Sequence, residues 1–415
     1  ILGKAALRQQ NGVIMENLHG KCVILGVTGG IAAYKMANVA SGLRKAGADV
    51  HVIMTENATQ FITPVTFETL TNNRCVVDTF ARDFKYEVAH ISLAKAADLI
   101  LIAPATANVI AKMAHGIADD MLTTTVLASR CKKLVAPAMN HNMYHNSIVQ
   151  ENLEKLKRHG YEMIDPVCGM LANGDTGDGK LPSEETLVEY VLRELAFEKD
   201  MQGLKVLVTA GPTQEAIDPV RFISNHSTGK MGYAIAKNAM LRGAEVTLVT
   251  GRTALEPPMF VKTVPVTSAK DMYQAVMECA KEQDIIVKAA AVADYTPAHT
   301  ADEKIKKSEG ELSLALEKTT DILAELGKNK GNTVLCGFSM ETEHMLENSR
   351  AKRKKKNLDM IAANNLKQQG AGFAGDTNVL TLITEDWEKE LALMSKDEAA
   401  KCLLDELLKI KKNKK

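Results

Sequence analysis

Gly29-Gly30 closes a short β-branched run and precedes an apolar-periodic stretch, a setting in which backbone N–H groups can meet a phosphate. A second turn, Gly211-Pro212, follows the run Lys205–Thr209 and leads to a Ser/Thr-rich helix entry that suits an anionic ligand. Gly229-Lys230 imitates a P-loop but fails as one. Met231 stands where a magnesium-holding Ser or Thr belongs, and Ser224 replaces the first Gly. Among proton-bearing and amide groups, His90 sits in "AHISL", and Asn140 in "PAMN" can both donate and accept hydrogen bonds. His141 and His145 have i,i+4 spacing, but no third ligand is visible in the sequence, so no metal pair is expected. Lys352–Lys356 reads as a solvated helix face whose alternate members reach a phosphate, and Leu408–Lys415 as a frayed, soluble tail.

These groups must be positioned by regular elements. A strand at Lys21–Val27, a helix through Ala46 and a strand at Asp49–Met54 make one βαβ unit. Lys205–Thr209, Met231–Leu241 and Ala244–Thr250 repeat it, and "LRKAGADVHVIMT" echoes "MLRGAEVTLVT". Further buried strands are expected at Asp98–Ala103, Lys133–Ala136, Asp284–Val287, Thr333–Gly337, Leu358–Ala362 and Val379–Ile383. Crossover helices make such strands parallel, and ligands gather at their carboxyl ends. The charged stretch Glu194–Gln202 separates the two series. The fold class is therefore α/β, two doubly wound Rossmann-like domains with mainly parallel sheets, at 15–200 and 201–415. Residues 1–14 precede Met15 and read as a tag remnant or upstream extension.

Composition narrows the function classes. Lys+Arg and Asp+Glu are both 51, and zero formal charge argues against a general nucleic-acid partner. The most apolar stretch, from Leu99, is broken by Asn108 and Lys112, so no membrane span is expected. Seven scattered cysteines without a CxxC pair fit a reducing cytoplasm rather than a disulfide framework or a cysteine-rich zinc site.

Three strings in the first half carry a resemblance: "GVTGGIAAYK" (Gly26–Lys35), "APATANVIAKMAHGIADDMLT" (Ala103–Thr123) and "PAMNHNMY" (Pro137–Tyr144). Together they resemble the flavin-dependent cysteine decarboxylases, which include phosphopantothenoylcysteine decarboxylase and the peptidyl-cysteine decarboxylases of lantibiotic synthesis. The resemblance implies FMN surrounded by Thr28, Gly29, Gly30, Thr55, Thr106, Asn108 and Asp119. It implies His90 as the active-site imidazole and Asn140 as a substrate holder. In that chemistry the thiol carbon is oxidised to a thioaldehyde, whose C=S group takes up the electrons left by carbon dioxide. One position departs from the pattern. The coenzyme A branch places a proton-donating cysteine in a Gly-rich flap, "ACGD", but this chain reads "GMLANGDTGDGKLP" from Gly169, with Asn173 at that place. An amide is no general acid near neutral pH. Cys168, five residues earlier, is the substitute donor if the flap bends; otherwise the decarboxylase half binds FMN but is impaired.

The second half carries a longer series. "TAGPTQEAIDPVRFISNHSTGKMG" (Thr209–Gly232) is followed by "KAAAVADY" (Lys288–Tyr295), "EKIKK" (Glu303–Lys307), "TDIL" (Thr320–Leu323), "GFSMET" (Gly337–Thr342), "AKRKKKNLD" (Ala351–Asp359) and "AANN" (Ala362–Asn365). This series resembles the phosphopantothenate–cysteine ligases. It implies CTP-dependent activation of 4′-phosphopantothenate as an acyl-cytidylate, then attack by cysteine. By resemblance Asn225 binds the pantothenate arm and acyl-cytidylate, while Ala289, Ala290 and Asp294 contact the nucleotide. Lys304, Phe338, Lys352 and Lys356 complete the CTP site, which Thr320, Asp321, Ile322 and Leu323 line, and Lys304 is the catalytic cation. Mg2+ is expected to bridge the triphosphate, with no dedicated carboxylate cage in view. Together the halves imply a bifunctional enzyme of coenzyme A biosynthesis. They also imply a homo-oligomer, a trimer of dimers or a dodecamer.

Overall fold

The computed structural model describes residues 18–80, 88–170, 176–306, 313–341, 344–365 and 375–414. It falls into two units, Ile1–Phe197 and Glu198–Lys415.

In the first unit, β1 (Cys22–Val27) is followed by a 3-10 turn, Ile31–Lys35, and then by α1 (Met36–Lys45). The expected single helix is thus split. Next come β2 (Asp49–Met54), α2 (Pro64–Thr71), α3 (Ala89–Ala96), β3 (Leu99–Ala105), α4 (Ala107–His115), α5 (Met121–Ala128) and β4 (Lys132–Pro137). The unit continues with α6 (His141–Tyr144), α7 (Ser147–Arg158), β5 (Glu162–Met163), the antiparallel pair β6 (Val167–Met170) and β7 (Thr176–Lys180), and α8 (Glu184–Leu195). The main sheet is parallel, in the order β2-β1-β3-β4-β5. Every residue of β3, LILIAPA, is buried, as a strand covered by helices on both faces requires.

The second unit opens with β8 (Lys205–Ala210), the hairpin β9 (Gln214–Ala216) and β10 (Phe222–Ser224), then α9 (Lys230–Leu241). It proceeds through β11 (Glu245–Thr250), β12 (Lys262–Pro265), α10 (Ala269–Cys279), β13 (Ile285–Lys288), the pair β14 (Tyr295–Pro297) and β15 (Leu316–Lys318), and α11 (Ile322–Lys328). Then follow β16 (Val334–Glu341), α12 (Met345–Lys355), β17 (Met360–Asn365), β18 (Thr377–Asn378), β19 (Leu380–Ile383), β20 (Glu388–Glu390), β21 (Met394–Ser395) and α13 (Lys396–Asn413). Its eight-stranded sheet runs β12-β11-β8-β13-β16-β17-β19-β20, parallel except where β19 meets β17 and β20.

The tail expectation is corrected. Leu408–Lys415 does not fray within its described part, because α13 runs to Asn413 and buries Leu403, Leu404, Leu407 and Leu408 against the unit. Those leucines recur at helical spacing, and lysines beyond them reach carboxylates. Lys411 pairs with Asp284 at 2.9 Å and Lys414 with Asp359 at 2.7 Å. A lysine-rich end therefore serves as an amphipathic helix.

Candidate functional site

Strand order locates the sites. In both sheets the chain reverses direction of winding beside the first strand, between β1 and β3 and between β8 and β13. The loops leaving such a neighbouring pair splay apart and open a crevice at their carboxyl ends.

In the first unit those two loops are joined by hydroxyls. Thr28, fully buried just after β1, donates from Oγ1 to the Pro104 carbonyl at 2.6 Å and accepts the Thr106 N–H at 3.1 Å. Gly29 is required by crowding: a Cβ there would lie 2.5 Å from the Asn57 Cβ. Thr55, at the end of β2, holds a buried Oγ1 that has no hydrogen-bond partner among the described residues. An orphaned hydroxyl beside a Gly-rich turn fits an anionic group that the bare chain lacks, and a flavin phosphate is such a group. Asn108 is exposed at the start of α4, and Asp119 is held by Lys112 at 2.7 Å, which keeps its carboxyl below the usual range.

His90 is half-buried on the first turn of α3. Asn140 caps α6, its Oδ1 accepting the Asn142 N–H at 2.9 Å. Cys168 is exposed on β6, while Asn173 lies outside the described residues. The absence of a third ligand beside His141 and His145 is also corrected. Asp178 arrives from β7, 3.1 Å from His145 Nε2, because β7 folds back over the turn that follows Asn140.

In the second unit the crevice is a cavity of about 350 Å3. Its wall includes Asn225, Ala289, Ala290, Asp294, Thr320, Asp321, Ile322, Leu323, Phe338, Lys352 and Lys356. Main-chain bonds shape it. The Ala289 N–H donates to the Thr209 carbonyl at 3.2 Å, and Ala290 N–H to Thr209 Oγ1 at 3.1 Å. Asn225 Nδ2 donates to the Ala291 carbonyl at 3.0 Å, fixing the end of the β10 hairpin against the strand-end loop.

The cations come from α12. Ser339 on β16 and Ser349 on α12 share a buried hydroxyl bond of 2.7 Å, which sets the helix on the sheet. From its last turn Lys352 donates to the Phe338 carbonyl at 3.1 Å, and Lys356 meets Asp321 at 2.8 Å. Lys354 and Lys355 instead point to solvent near the helix's negative end. Burial works to raise the Asp321 pKa, but the Lys356 ammonium and the Ala324 N–H hold it below the ordinary carboxylate range.

Sequence reasoning missed several lining residues. Lys288, the last residue of β13, is pushed down to about 8 by burial and then by the neighbouring Lys356 and Lys352. Lys230 opens α9 and meets Asp376 at 2.7 Å; Lys396 opens α13, bonds the Gly375 carbonyl, and is lowered to about 8 by burial and by Lys230. Asn364, almost fully buried, has an Oδ1 without a partner among the described residues. Lys288 was concealed at the end of an apolar run, and Lys396 is brought in only by tertiary packing.

Lys304 is not part of this wall. It is exposed on a segment pinned to the β9–β10 hairpin, where the Ile305 N–H and Arg221 both meet Asp218 Oδ2. The Arg221 guanidinium and nearby N–H donors hold Asp218 far below the usual carboxylate range.

A crevice with a Gly-rich turn and hydroxyl-bearing loops in one unit and a lysine-lined cavity in the other mark a class of two-domain α/β proteins, and comparison with known proteins names it. Residues 14–196 match the Flavoprotein family model, and residues 201–410 match that of the DNA/pantothenate metabolism flavoprotein C-terminal domain. The chain is 46% identical to the Coenzyme A biosynthesis bifunctional protein CoaBC of Bacillus subtilis (strain 168), covering 95% of this chain and 98% of that one. It is 43% identical to the protein of the same name from Haemophilus influenzae, over 94% and 98%. A crystal structure of the C-terminal domain of a CoaBC protein is similar over 52% of this chain and all of that one, with 41% identity and a TM-score of 0.46. The chain belongs to the family of coenzyme A biosynthesis bifunctional proteins, enzymes that combine a ligase with a flavin-dependent decarboxylase.

Proposed function

We propose that the second unit joins 4′-phosphopantothenate to cysteine at the expense of CTP, and that the first decarboxylates the product to 4′-phosphopantetheine with FMN. The observation that carries the ligase reading is the convergence of Lys230, Lys288, Lys352, Lys356 and Lys396 on one cavity. A cluster of cations, two of them lowered to about 8, is costly in a bare cavity and is relieved by a polyanion.

In the proposed sequence the phosphopantothenate carboxylate oxygen attacks the α-phosphorus of CTP and pyrophosphate leaves, giving an acyl-cytidylate. The cysteine amine then attacks the acyl carbon, the amide forms, and CMP departs. Lys288, Lys352 and Lys356 offset phosphate charge, while Asn225 and the Ala289–Ala291 loop position the acyl arm. Mg2+ accompanies the triphosphate. Lys304 is proposed to approach from the hairpin segment as charge moves onto the leaving group.

In the first unit Thr28, Gly29, Gly30, Thr55, Thr106, Asn108 and Asp119 would surround FMN. The flavin supplies the two-electron chemistry that creates an electron sink. His90 moves the proton and Asn140 orients the substrate. Assembly as a homo-oligomer and a cytoplasmic setting complete the reading; no described helix is long and apolar enough to cross a membrane.

Purified protein given CTP, cysteine and 4′-phosphopantothenate is expected to release pyrophosphate, and Lys304→Ala to abolish it. Lack of pyrophosphate from the unaltered protein overturns the ligase assignment. A second reading rests on Asn173, which cannot donate a proton as a cysteine does: ligation is intact, and the FMN-binding half is impaired, stalling after carbon dioxide loss. Asn173→Cys then accelerates formation of the saturated thiol, whereas an unchanged rate assigns the proton to Cys168 or another group.

A further inference from the structure

We infer that His141, His145 and Asp178 form a binding site for a divalent transition-metal ion of the zinc type, directly beside Asn140 of the proposed decarboxylase site. Their ligand atoms all lie within 4.8 Å of one another. The two imidazoles project from successive turns, with ring centroids 4.4 Å apart. Asp178 comes from β7 and brings its Oδ2 to 3.1 Å from His145 Nε2. Two ligands bound to zinc at about 2.0–2.1 Å in tetrahedral geometry stand about 3.3 Å apart, so this pair is already at the spacing that a shared ion needs.

One hydrogen bond must give way to the ion. The Asp178 backbone N–H lies 3.2 Å from His141 Nδ1, so that nitrogen is the acceptor and carries the lone pair. A metal ion entering between the side chains takes over the same lone pair, with Nε2 of His145 and the carboxylate as its other protein ligands. Gly177 permits the approach: a Cβ there would fall 2.8 Å from His141 Nδ1. The His145 and Asp178 side chains are each nearly half exposed, which gives an ion a path in and leaves room for water as fourth ligand. Two imidazoles select zinc, copper or nickel over magnesium and calcium, which prefer all-oxygen shells.

The ion would bridge β7 to the turn just after Asn140, two segments that a single main-chain bond, Met139 N–H to Gly179 carbonyl at 3.1 Å, also ties. Occupancy therefore braces the β6–β7 pair from its base.

The test is a titration of the full-length flavoprotein with zinc against a chromophoric chelator, repeated for His145→Ala and Asp178→Asn. One ion per chain is expected to compete with the chelator in the unaltered protein. Either substitution should weaken that binding by roughly a hundredfold or more, beyond the cost of losing an outer-shell partner. Circular dichroism confirms that each variant is folded, and the exposure of both side chains makes that outcome expected. Protein that takes up no zinc, or folded variants that keep it undiminished, would overturn the proposal.

Discussion

The two crevices are built at equivalent points of two similar sheets, yet they differ in what a single chain completes. In the second unit, side chains from α9, α11, α12, α13 and four strands enclose the cavity. In the first unit, Ile31, Tyr34, Phe61 and Val65 are exposed in the segments that follow β1 and β2. A polyanion site can be walled by long, flexible cations from many elements. A flavin needs a flat apolar cover as well, and those exposed side chains offer one face of it. The contrast teaches that one topology supplies a location, while the surrounding side chains decide whether the site is closed from within.

The contrast is broken or sharpened by substitutions in each unit. Lys356→Ala is expected to cut CTP-dependent pyrophosphate release about 10²–10³-fold, the usual consequence of losing one preorganised charge partner, without altering the flavin spectrum. Loss of flavin in that variant would show that the units are not functionally separate. Next in size, Leu407→Ala on α13 should destabilise the second unit by about 2–5 kcal/mol in denaturant titrations, because the side chain is fully buried. Gly29→Ala, forced against Asn57, is expected to weaken FMN binding roughly tenfold or more by fluorescence titration while ligation proceeds at its normal rate.

The smallest effect is a proton count. Lys288 and Lys396 titrate near 8 in the bare protein, below the ordinary lysine value, because burial disfavours their charged forms. Folding therefore releases protons between about pH 8 and the ordinary lysine pKa near 10.4, so stability rises with pH across that window. Below 8 both ammoniums stay charged and their burial cost is fully present. A bound polyanion restores their charge, so CTP binding near pH 8 should take up protons, seen calorimetrically in buffers of different ionisation enthalpy. Lys288→Met should shrink the uptake; an unchanged count would remove Lys288 from the nucleotide's surroundings.

Much of this was legible in the chain. The βαβ repeat disclosed the fold class because buried parallel strands read as apolar runs with turns at their ends, as "DLILIA" does. The Ala289–Ala290 pair was implied by the resemblance of "KAAAVADY" to the ligases, and it lies in the cavity wall. Lys396 could not be placed there, because its position depends on how α13 packs across α9, a contact between residues more than 150 apart in sequence. Asp178 escaped notice for the same reason: only the folding back of β7 brings it to His145. The lysine-rich end was misread by charge, when its leucine periodicity was the stronger signal.

The cavity wall around Gly229 and Ala289–Ala291 is made largely of main chain. Gly229 has φ +80°, and a Cβ there would come within 2.9 Å of Thr253 Cγ2. A target usually escapes a drug by exchanging side chains that the drug touches. A compound that packs against this main chain leaves few such exchanges, since altering the wall means moving the strands beneath it.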